Sequence, residues 1–188
     1  MSTRRAFVIT VPHSTCPIKK SPTHPCDTAA ILGANALLAF LPASRTYVRV
    51  GETPRDDIDL NRVQSRATPF RKSIRNLVRR LKLAYDEVVI LDSHSYPKKL
   101  ERWQGRQLYL MDLDPIQAWV KRMAMQLATD HKDGDVVLCP AEDTIADILL
   151  EFREAGHKGV VIEWCEKLTT DQIMQYAQII AEFVQRRL

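Results

Sequence analysis

Short apolar runs alternate with helical stretches from one end of this chain to the other, and that alternation leaves few architectures open. The runs cover residues 4–11, 45–50, 87–91, 106–110, 135–139 and 159–164. Most are continuously apolar and β-branched, as in Val88-Val89-Ile90-Leu91 and Val160-Val161-Ile162. Such runs read as strands covered on both faces, the mark of a parallel sheet between helices. Residues 27–41, 68–83, 114–129, 143–155 and a last stretch after Thr169 read as the helices. Thr68-Pro69 sets an N-cap and a proline at the first helical position, and Asp114-Pro115 repeats the pattern. Phe70, Ile74, Leu77, Val78 and Leu81 share one helical face. Gly156 is a helix stop, and Thr169 with Gln172 forms a capping-box pair ahead of Ile173, Ala177, Ile180 and Val184. Residues 51–66 form a long polar loop, a length that usually carries function. The fold expected is α/β: three layers, αβα, around a mostly parallel, mixed sheet. With 188 residues it is read as a single domain over 1–188.

Charge and composition narrow the function. Lys and Arg exceed Asp and Glu by 27 to 23, a net charge of +4, which suits an anionic ligand without implying nucleic acid. Seven Arg or Lys and no acid lie within residues 66–82. No aromatic residues interleave on that face to stack bases, so it reads as a solvated basic face, balanced by the acidic loop before it, and nucleic acid is not expected as a partner. Residues 29–41 are too few to span a bilayer and contain Asn35, so no membrane is expected. Nothing near Met1 resembles a leader, which gives a cytoplasmic expectation and reduced thiols at Cys16, Cys26, Cys139 and Cys165. No C-x-x-C pair is present, and no feature activates Cys16 or Cys165 as a nucleophile.

In parallel sheets ligands bind where strands end, and here the strand ends hold the chemistry. The first exits into Pro12-His13-Ser14 and the third into Asp92-Ser93-His94-Ser95. The sixth ends in Glu163-Trp164, and the second leads to Asp57-Ile58-Asp59-Leu60-Asn61-Arg62. Two His and one carboxylate make an open metal site. Asp92, two residues before His94, is placed to fix an imidazole tautomer. Asp27 is the candidate third ligand, with a plain helix cap as the alternative and Glu52, Asp57 and Asp59 as rivals. Arg62 offers a planar fork for a carboxylate and Asn61 a donor beside it; the alternative is that Arg62 pairs with Asp57 or Asp59. A carboxylate at Glu163, on an apolar strand, must be paired or functional, and beside an activated water it can serve as general base.

Val11-Pro12-His13-Ser14, Asp59-Leu60-Asn61-Arg62, Asp92-Ser93-His94-Ser95 and Ile162-Glu163, in this order, resemble the signatures of N-formylglutamate amidohydrolases. The matched stretches run from about residue 8 to 164. That family is similar in fold to zinc carboxypeptidases and to the succinylglutamate desuccinylase and aspartoacylase group. The resemblance implies one zinc held by His13, Asp27 and His94, a substrate carboxylate on Asn61 and Arg62, and Glu163 as general base. Thr15-Cys16 follows Pro-His-Ser where the family often has Gly, the chain is shorter than typical members, and residues 19–25 are its own. The expected activity is zinc-dependent hydrolysis of an amide C–N bond in a small carboxylate-bearing substrate such as an N-acyl amino acid. Arg55 or Arg49 is the candidate oxyanion partner, and Arg49 and Ser95 are further candidate substrate contacts. Two alternatives stand beside it: a zinc peptidase or amidase acting on peptide or cell-wall fragments, and a non-catalytic anion- or nucleic-acid-binding domain on the same fold.

Overall fold

The computed structural model describes residues 3–15, 27–54, 57–96, 106–113, 115–130, 135–141, 146–186 and 188. Six strands and five helices follow in the order β1 (Arg5–Val11), α1 (Thr28–Phe40), β2 (Thr46–Val50), α2 (Pro69–Leu81), β3 (Glu87–Tyr96), β4 (Leu108–Leu113), α3 (Ala118–Asp130), β5 (Val136–Ala141), α4 (Asp147–Glu154), β6 (Lys158–Cys165) and α5 (Thr170–Arg186). Short 3-10 turns at Ala43–Arg45 and Val63–Ala67 complete the described elements. The strands form one sheet in the order β2-β1-β3-β6-β4-β5. All neighbours are parallel except β4 and β6, which run antiparallel. The fold is therefore the expected three-layer α/β arrangement with a mixed, mostly parallel sheet.

Strand alternation sorts side chains between two helical layers. Phe7, Ile9, Leu91, Leu110, Ile162 and Trp164 join α1, α3 and α5 in the larger core. Ala6, Val8, Val88 and Ile90 face α2 and α4 on the other side. Gly33 lets α1 close on the sheet: a Cβ there would lie 2.2 Å from Cε2 of the buried Trp164 indole.

Several element boundaries differ from expectation. β3 does not end at Leu91; Asp92, Ser93, His94 and Ser95 lie within the strand, held by register with Val161 to Trp164 of β6. The α3 helix starts at Ala118, so Pro115 is not its first residue. Asp112 supplies the polar cap, accepting from the Gln117 backbone N–H at 2.6 Å; Asp114 lies outside the described residues. The expected start of α4 at Asp143 also lies outside them, and the helix runs from Asp147. The Thr68 cap with Pro69, the Gly156 stop (φ 80°) and the Thr169–Gln172 box are present.

The basic face of α2 is not simply solvated. Arg66, Arg71 and Arg75 pair with Asp147 and Glu151 of α4. The balancing acids come from a helix more than 70 residues onward rather than from the preceding loop. Among the described residues no helix is long and apolar enough to cross a membrane.

Candidate metal centre

The strand ends and the start of α1 bring His13, Asp27 and His94 together. His13 follows β1, and its carbonyl accepts from the Asp27 backbone N–H at 3.0 Å, tethering the start of α1 to the end of the strand. Gly51 closes the same corner, with its N–H on Val11 O at 2.8 Å; a Cβ there would sit 2.2 Å from Pro12 O. Asp27 occupies the N-cap position of α1 yet makes no side-chain cap bond. Its Oδ2 instead lies 3.4 Å from His13 Nδ1 and 3.3 Å from His94 Nδ1. The rings meet edge to face with centroids 5.1 Å apart. One ligand atom from each residue falls within 4.8 Å of the others, and all three residues are buried.

The outer nitrogen of each ring faces a carboxylate. His13 Nε2 is 2.7 Å from Asp59 Oδ1, and His94 Nε2 is 3.1 Å from Asp92 Oδ2. Asp92 is itself anchored by the Thr10 hydroxyl at 2.5 Å and the Asn61 amide at 3.2 Å. A carboxylate on Nε2 places the proton there and turns the Nδ1 lone pair inward. His13 Nδ1 and Asp27 Oδ2 are buried with no hydrogen-bond partner. Buried polar atoms are rarely left so, and two such atoms aimed at a shared point fit a divalent cation.

The electrostatics agree. Burial pushes the Asp27 carboxyl up, but the two imidazoles outweigh it and hold the group well below the ordinary carboxylate range. For His94 burial pushes the imidazole down, yet the Asp92 and Asp27 carboxylates outweigh it, and it is held well above its ordinary value. The cluster thus keeps Asp27 ionised and attracts positive charge. The two imidazoles also suit a borderline ion such as zinc better than calcium or magnesium.

A pocket of about 40 Å³ opens over the cluster, lined by His13, Asp27, Asn61, His94, Ser95, Met111, Ala146, Val161 and Glu163. That volume takes one or two water-sized groups. Glu163 pairs in register with His94 on the adjacent parallel strand, so the two project from the same face. Ser95 lines the pocket with its hydroxyl donating to Glu166.

Of the residues picked from the sequence, His13, Asp27, His94, Asn61, Ser95 and Glu163 meet here. Asn61 is placed differently from a substrate-facing donor. Its Oδ1 accepts from the Ile148 backbone N–H at 3.0 Å, and its Nδ2 turns to Asp92 and His94. Arg62 places Nε on Asp59 at 3.0 Å with its side chain about a third exposed, and it is not among the pocket-lining residues. Arg49 is not among the pocket-lining residues; its guanidinium donates back to Val48 O. Arg55 lies outside the described residues. Asp59, considered as a ligand, stands behind His13 instead.

No protein-family model matches the chain, and no curated protein matches it. Solved structures do. A gene product of Agrobacterium tumefaciens aligns with a TM-score of 0.73 at 14% identity over 98% of this chain and 90% of that one. An N-formylglutamate amidohydrolase from Ralstonia eutropha aligns at 0.65 and 14% identity, over 100% and 96%. A metallo-carboxypeptidase from Burkholderia cenocepacia aligns at 0.55 and 10% identity, over 97% and 56%. The chain shares its fold with an N-formylglutamate amidohydrolase and with a metallo-carboxypeptidase.

Proposed function

We propose that this chain is a metal-dependent amidohydrolase, with zinc as its ion and a small N-acyl amino acid or related carboxylate-bearing amide as its substrate. One observation carries the reading: the inward atoms of His13, Asp27 and His94 converge, two of them lack any hydrogen-bond partner, and each imidazole is backed by a carboxylate. The order of the sequence motifs and the shared fold with an N-formylglutamate amidohydrolase support it.

His13, Asp27 and His94 would hold the ion. When bound, such an ion would supply Lewis acidity, bringing the pKa of a water down towards about 7 and polarising a carbonyl. Asp59 and Asp92 keep the imidazoles turned inward. Glu163, at the pocket wall beside His94, takes the proton of the attacking water and delivers it to the leaving nitrogen. Met111, Val161 and Ala146 give the pocket an apolar wall against the acyl group. Arg62, about a third exposed and beside Asp59, has the planar fork that matches the substrate carboxylate. Asn61 is assigned to the protein side, since both ends of its amide are bonded internally.

The test is zinc content by mass spectrometry together with amine release from N-formyl and N-acetyl amino acids. Glu163→Gln should keep about one zinc per chain while kcat falls by about 10²–10⁴. Undiminished turnover in that variant would remove Glu163 from the mechanism, and a metal-free wild type after zinc supply would remove the metal reading.

A further inference from the structure

One turn serves both candidate ligand histidines. Asp59 Oδ1 faces His13 Nε2 at 2.7 Å and also accepts from the Asn61 backbone N–H at 3.0 Å. Two residues on, the Asn61 amide lies 3.0 Å from His94 Nε2 and 3.2 Å from Asp92 Oδ2. The carbonyl between them, Leu60 O, is gripped from the interior. Arg71 Nη1 donates to it at 3.3 Å and to Ser65 Oγ at 3.3 Å, while the Ser65 hydroxyl is shared between the same carbonyl at 2.8 Å and Arg62 O at 2.6 Å. The other arm of the guanidinium donates to Asp147 Oδ2 at 2.9 Å, to Asp147 O at 3.3 Å and to Glu151. The start of α4 then returns to the turn: the Ile148 N–H donates to Asn61 Oδ1 at 3.0 Å, and the Asp147 N–H to Asn61 O at 3.4 Å.

Arg71 is fully buried (0% exposed). Desolvating a guanidinium is costly, and helix packing alone is served as well by an apolar side chain of similar volume. What an apolar side chain cannot do is hold a loop carbonyl and a helix carboxylate at once. Arg's rigid fork does this, and lysine's single ammonium does it poorly. We propose that Arg71 is a positioning residue for the metal centre: it locks the Asp59–Asn61 turn against α4 and thereby fixes the outer contacts of both histidines. This rests on the metal reading above.

The experiment measures zinc dissociation constants on the full chain, stripped of metal, by competition with a chromogenic chelator. The visible absorption of the cobalt(II) form is the second readout. Arg71→Met and Arg71→Lys are compared with Arg75→Met, which removes a neighbouring guanidinium that bonds Glu151 and Arg66 O without touching the turn. Arg71→Met should weaken zinc about tenfold, the low end for loss of groups that orient ligands, and shift the cobalt bands. Arg71→Lys should fall between it and wild type, and Arg75→Met should bind as wild type does. Folded Arg71 variants that bind zinc as tightly as wild type would overturn the positioning role and leave the metal reading intact. So would an equal loss in Arg75→Met, or failure of both Arg71 variants to fold by circular dichroism, either of which would mark the cluster as part of the fold alone. A wild type that takes up neither zinc nor cobalt would overturn both.

Discussion

Replacing Asp27 with Asn separates a ligand from a helix cap. A side-chain cap on α1 would contribute about 1 kcal/mol, but Asp27 makes no such bond and turns Oδ2 to the two imidazoles. Asn is close in size and an equally good cap residue, so no cap is lost; what the metal-free variant loses is the attraction between the ionised carboxylate and the two imidazoles, and its Tm should fall by more than the roughly 2–4 °C that 1 kcal/mol is worth in a chain of this length. Zinc at about 100 times its Kd should stabilise wild type by about 2.7 kcal/mol, a rise in Tm of roughly 5–11 °C. Loss of even an outer carboxylate can cost about 100-fold in metal affinity. A rise of that size in Kd cuts the gain at the same zinc concentration to RT ln 2, about 0.4 kcal/mol, or roughly 1–2 °C. The assay is thermal unfolding with and without zinc after chelator treatment. A variant that keeps the wild-type zinc shift would refute Asp27 as a ligand. A metal-free Tm unmoved by the substitution would show that the imidazoles do not hold the carboxylate.

His94 gives a pH signature. Its imidazole is held above 6.5 in the metal-free protein, so its contribution to stability is complete below about pH 6.5 and is lost as pH rises through the folded value. The metal-free chain should therefore lose stability on the alkaline side, and zinc uptake near pH 7 should release a proton. Calorimetric binding enthalpies that do not vary with the buffer's ionisation enthalpy would contradict this. In the core, Gly33→Ala puts a Cβ within 2.3 Å of Trp164 Nε1, on an indole already bonded to Ser93 Oγ at 3.0 Å. The cost should be about 2–3 kcal/mol, seen as a lower urea midpoint with an unchanged slope; an unmoved midpoint would mean that α1 yields.

The layers and the ligand cluster were legible because both depend on local pattern. Continuous apolar strands announce a sheet covered on both faces, and residues at successive strand ends meet at one edge whatever the strand order. His13 and His94 are found together on that logic, Asp27 is singled out from its rivals only by the family resemblance, and Asp92 behind His94 follows from a two-residue spacing within one strand. Strand direction was less legible. That β4 is the strand set antiparallel to β6 depends on how the chain returns to the sheet, which apolar content does not encode. Arg71 was invisible for a related reason. Its neighbours in sequence make it one more cation on a basic helix, and only Asp147 and Glu151, 76 and 80 residues later, make it an interior residue. Arg62 and Asn61 show the limit from the other side. The motif places them beside the site, but which of their partners are protein groups is decided by the start of α4 and by Asp59.

The compactness of Asp59-Leu60-Asn61-Arg62 has a mechanical basis. Two imidazoles from different strands must be oriented together, and each needs a polar partner on its outer nitrogen. The turn supplies Asp59 to one and, through the Asn61 amide, holds Asp92 on the other, while Arg62 pairs with Asp59 on the outside. Leu60, fully buried, drives inward between them against Gly51, where an added Cβ would lie 2.6 Å from its Cδ1. Its own carbonyl is held by Arg71 and Ser65. The long polar loop thus contains a segment anchored in the core by one buried apolar side chain and one buried cation. The proposed ligands His13, Asp27 and His94 come from three separate parts of the chain, and that anchor is what would keep the outer contacts of the two histidines in register.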